Sequence, residues 1–164
     1  MRDRRFVAVH RGGPLSKEHH RLLISWAHTC ATHVLPYFGS PKIDERLTHA
    51  LKAAEAWERG EISVGDTRKA SLGAIAVANE NSNPVSVAVA RAVGHAVATA
   101  HMADHSLGAA EYALKAIQLS GQSIAAERKW QDDQLPLSIK DLVLSARNGK
   151  YDKDNPVRIK SSRK

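Results

Sequence analysis

Apolar positions along this chain recur every three to four residues from Ser16 to Asn148, whereas two-residue alternation is confined to Phe6, Val7, Ala8 and Val9. The first period lines one stripe of a helix and the second is that of a strand, so the pattern predicts an all-α chain. The first helix starts at Ser16, a side-chain cap with Glu18 and His19 in the first turn, and carries Leu22, Leu23, Trp26, Cys30 and Val34 to Pro36. In the second, Ser40 is the cap, Pro41 takes the first helical position and Gly60 is the stop. Between them Ile43, Leu47, Ala50, Leu51, Ala54 and Trp57 form an apolar stripe opposite a solvated face of Lys42, Glu45, Lys52, Glu55 and Glu58. A third helix spans Asp66 to Asn79, and Asn83 with Pro84 opens a fourth that extends to His105. A fifth runs from Ser106 to Asp133 with Gly121 weakening its middle. Pro136 then breaks the pattern, and Ser138 with Asp141 opens a short last helix that Gly149 ends.

The expected architecture is a compact bundle of five to six helices. Twenty-five alanines, densest in helices three to five, favour helix and let the axes approach closely. The fourth helix is apolar nearly all round, which places it near the centre, and Trp26, Trp57 and Trp130 are the large pieces assigned to packing.

The polar exceptions on that central helix carry the most chemical information. Arg91, His95 and Thr99 rise four apart along one face, and His101 and His105 form a second column beside them. Buried charge requires partners, so this stripe either meets carboxylates such as Asp44, Glu80 or Glu111 or floors an open cleft. The alternative chemistry is a metal-binding protein or metal-dependent hydrolase using His101 and His105, with His95 or Asp44 as a third ligand. Met102, Ala103 and Asp104 between the two histidines do not supply the glutamate that an H-E-x-x-H helix carries after its first histidine. Cys30 near His28 and His33 reads as a small buried thiol rather than a nucleophile, and the His19–His20 pair as solvent-exposed. Gly12 and Gly13 lack the strand-to-helix setting of a phosphate loop, so no nucleotide cofactor is implied.

The net charge of +7 lies at the ends. Arg2, Arg4, Arg5 and Arg11 against Asp3 give the first 15 residues +3. From 147 onward, Arg147, Lys150, Lys153, Arg158, Lys160, Arg163 and Lys164 against Asp152 and Asp154 give +5, which leaves the body at −1. Nucleic-acid affinity is therefore confined to weak, salt-sensitive contacts through the tails. This divides the chain into a basic N-terminal arm (1–15), an all-α domain (16–149) and a basic, flexible C-terminal tail (150–164). A single cysteine excludes an internal disulfide, and the most apolar run, Pro84 to Ala100, falls short of the roughly 20 residues of a membrane span. Together with the lack of a secretory leader, this predicts a cytoplasmic protein, and the first-helix stripe and the tryptophans of an Ala-rich bundle could supply the symmetric patch of a homodimer.

Several segments recur in the order of a known family. They are an Asp44-Glu45-Arg46 start, Ala56-Trp57 before Gly60-Glu61, Arg68, and Arg91 to His105 with its Ala98-Thr99-Ala100-His101 run, followed by Ala110 to Ala113. Over about residues 20–120 the chain resembles the putative immunity protein family of bacterial polymorphic toxin systems. The resemblance implies an all-α protein that binds a cognate toxin and blocks it without catalysis and without a cofactor. The positions matching its polar motif are Asp44, Arg46, Trp57, Arg68, Arg91, His95, Thr99, His101 and His105.

Overall fold

A computed structural model of the protein describes residues 2–39 and 41–154, the last five as backbone only. The chain is all-helical, with seven α-helices among the described residues: α1 (Lys17–Val34), α2 (Glu45–Glu58), α3 (Val64–Glu80), α4 (Pro84–Ala98), α5 (His105–Leu119), α6 (Ile124–Asp133) and α7 (Leu137–Asp154). The count exceeds the expected five to six because the predicted fifth helix is two. At Gly121 the backbone enters the left-handed region (φ 75°), which a helix interior does not accommodate, and Ser123 caps a new helix.

Local capping chemistry sets most starts. Ser16 accepts from the His19 amide, Ser63 from that of Asp66, and Asn83 from those of Val85 and Ser86 ahead of Pro84. The second helix departs from expectation. Ser40 lies outside the described residues, Pro41 sits in a bend rather than at a first helical position, and the cap is Asp44, which accepts from the Arg46 amide at 2.9 Å. Near the C-terminus α7 continues through Gly149 to Asp154. Of the stretch expected as a tail, residues 155–164 lie outside the described residues.

Helix α4 occupies the centre, packed by α1, α2, α3 and α5, with Val89, Val93, Ala96 and Val97 fully enclosed. It ends at Ala98, however, and not at His105. The chain turns over 99–104 so that α5 can pack back along α4, and this tertiary contact overrides a run with no glycine or proline to mark the stop. A second apolar cluster joins Leu23, Trp26 and Cys30 of α1 to Ile139 and Val143 of α7. Phe6 and Leu15 complete it. The N-terminal segment is thus packed on the bundle, through two 3-10 turns and a parallel bridge between Ala8 and Leu15. Among the described residues, no helix is long and apolar enough to cross a membrane.

Candidate functional site

Because α4 stops at Ala98, the five polar residues of its predicted stripe come from three places. Arg91 and His95 are on α4, Thr99 is its C-cap, His101 lies in the turn, and His105 begins α5. The turn nevertheless brings the imidazoles together. His95 Nδ1 and His105 Nδ1 are 3.1 Å apart, and the His101 and His105 ring centroids are separated by 5.5 Å. A hydrogen bond between two Nδ1 atoms needs one donor and one acceptor, so at least one of these rings is neutral. His95 is also flanked by the Tyr112 ring at 5.1 Å. The Arg91 guanidinium, exposed, lies 5.8 Å from the centre of the same ring, within range of a cation–π contact.

Two residues that the sequence reading did not assign to the seam complete it. Gly108 of α5 faces His95, where a Cβ would approach Nδ1 to 2.5 Å, so only glycine leaves room for the ring. His20, read from the sequence as exposed, is 3% accessible. Its Nε2 donates to the Thr99 carbonyl at 2.6 Å, satisfying a backbone acceptor at the end of α4, and its ring lies 4.8 Å from Trp57. The signal was periodicity, since His20 precedes Leu23, Ile24 and Ala27 on the buried stripe of α1.

The expected carboxylate partners are elsewhere. Asp44 and Glu80 both bind the Arg46 guanidinium, at 3.0 and 2.6 Å, and tie α2 to α3, while Glu111 lies 3.9 Å from Arg147. The hydrogen bond from Arg46 holds the Asp44 carboxyl below its usual range. The seam is instead a row of imidazoles. Burial lowers the pKa of His20, of His101 and of His105, and the neighbouring His105 ring and Arg68 lower that of His101 further. His101 Nδ1 is buried without a hydrogen-bond partner among the described residues.

Of the remaining candidates, Arg68 is exposed on α3 and Trp57 is half-buried over α1. No group of three or more His, Cys, Asp or Glu side chains among the described residues could hold a metal ion, so His101 and His105 find no third ligand in His95 or Asp44. Cys30 is fully buried, and that burial pushes its thiol pKa far up, which suits packing rather than nucleophilic attack.

Fold and seam together define a small all-helical protein with an imidazole-rich strip beside its central helix. The chain belongs to the Imm-5 like putative immunity protein family, whose family model matches residues 13–138. That span runs from just before α1 to the start of α7 and includes every residue of the seam. No curated protein and no solved structure matches the chain.

Proposed function

We propose that this protein binds one cognate toxin of a bacterial polymorphic toxin system and blocks it in the cytoplasm, with no catalysis of its own. Membership of an immunity protein family is the observation that carries this reading. The surface over α4, between α3 and α5, is the face we assign to the toxin. Arg91 is exposed there, within cation–π range of Tyr112, and has no carboxylate partner among the described residues. Ile75 of α3, 41% accessible, borders it against Gly94 of α4, and Leu72, about one turn earlier on α3, is 56% accessible. An arginine, a tyrosine and adjoining exposed aliphatics are the residue types that dominate protein interfaces.

The test is co-expression with the toxin encoded beside this gene. The wild-type chain is expected to restore growth and to bind the purified toxin. Arg91→Glu should weaken that binding by about thirtyfold, as expected of a central interface arginine. Absence of protection by the wild-type chain would overturn the reading. Protection with undiminished affinity in Arg91→Glu would move the interface off this face.

A further inference from the structure

A cavity of about 490 Å³ lies at the end of the bundle where α1 and α3 begin. Its walls are largely apolar: Leu15 of the N-terminal segment, Trp57 at the end of α2, Ile62, and Val64 at the start of α3. Its rim is cationic. Lys17 and Arg21, one turn apart on α1, line it together with His10, and no carboxylate among the described residues does. Among the described residues neither Lys17 nor Arg21 has a carboxylate partner, whereas nearby Arg59 is already paired with Glu61 at 2.8 Å. Gly60 shapes this rim through its backbone, whose φ of 76° turns the chain out of α2 beside the Arg21 guanidinium. His20 forms part of the wall and also lines a smaller neighbouring cleft that contains His101, so the cavity adjoins the imidazole seam.

An apolar chamber beneath unpaired cations is complementary to an apolar group that carries negative charge beside it. We infer that this cavity seats an acidic segment of a protein partner, a bulky apolar side chain entering against Trp57 and Ile62 while flanking Asp or Glu carboxylates meet Lys17 and Arg21. The inference rests on the toxin-binding reading for the partner's identity, since the toxin is the protein that would supply the segment. Its chemistry is testable without the toxin.

The experiment presents the full-length protein to a display library of random linear peptides. The wild-type chain should retain peptides in which a large apolar residue adjoins Asp or Glu. Each retained peptide should lose at least about tenfold in affinity for the double variant Lys17→Glu with Arg21→Glu, and for Ile62→Asp, but not for Lys52→Glu on the outer face of α2. No enrichment, enrichment of basic peptides, or affinities that the charge reversal leaves unchanged would each overturn the inference. The two readings fail separately. Acidic peptides selected by a protein that protects against no toxin would leave the cavity assignment standing and remove the immunity role, and protection without such peptides would do the reverse.

Discussion

Gly108 contributes to the seam by leaving a space, which α5 presents to the His95 ring. Replacing it with alanine sets two effects against each other. Helix propensity favours alanine by up to about 1 kcal/mol. Overpacking against a ring already held between His105 and Tyr112 costs about 1 to 3 kcal/mol. Gly108→Ala is therefore expected to lower stability by on the order of 1 kcal/mol, and the same change in a His95→Ala background to be neutral or stabilising, because the clash is gone. Urea denaturation of the four proteins measures this coupling. Gly108→Ala stabilising equally in both backgrounds would contradict the contact. Gly149 in α7 has nothing within 4 Å of its Cβ direction and is the control: alanine there should gain up to about 1 kcal/mol.

The start of α2 separates a cap from an ion pair. Asp44 does both jobs, accepting from the Arg46 amide and pairing with the Arg46 guanidinium, while Glu80 has only the guanidinium. Arg46 and Glu80 are exposed, and pairs of that kind contribute little because water and salt screen them. Asp44→Ala should thus cost about 1 kcal/mol through the lost cap, and Glu80→Ala distinctly less, with the latter difference vanishing in high salt. Equal costs in thermal denaturation would assign the effect to the ion pairs instead. The same position illustrates which elements were legible. Ser16 and Asn83-Pro84 announce helices because their side chains act within one turn, and the structure uses them so. Asp44 is as good a cap as Ser40, but a Ser-Pro pair four residues earlier gave the stronger local signal. Where packing decides, local signals fall silent: nothing between Ala98 and His105 marks the turn that splits the predicted stripe between α4 and α5. The seam residues were identifiable all the same, since Arg91, His95 and Thr99 stand out as polar on an apolar helix. Which groups lie opposite them was not readable, because three-dimensional neighbours are not encoded in one helix's period: Asp44, Glu80 and Glu111, the carboxylates of one alternative, are paired with Arg46 and Arg147.

At the scale of the whole molecule the buried imidazoles make stability depend on pH. His20 faces Thr99, Trp57, His10 and Arg11; His101 faces His105, Arg68, Arg11 and Arg2; and His105 faces His95, Asp104 and Arg2. Burial leads in all three, and it places each folded pKa below the value near 6.5 of an unfolded chain. In the window between, the unfolded state binds more protons than the folded one, so stability is complete above about pH 6.5 and declines as pH falls through the window. Asp44, Glu61 and Glu80 add a separate loss at lower pH, because their pKa values are depressed by arginine partners and that stabilisation disappears only when the carboxylates protonate. The urea midpoint should therefore be level above about pH 7, fall first with the histidines, and fall again in the carboxylate range. His20→Gln puts an amide N–H where the imidazole Nε2 donates to the Thr99 carbonyl and removes one titrating group, so it should flatten the first decline and leave the second unchanged. A wild-type midpoint constant from pH 7.5 to 5.5 would mean that the imidazoles are solvated, and the seam would then have to be open rather than packed between α4 and α5.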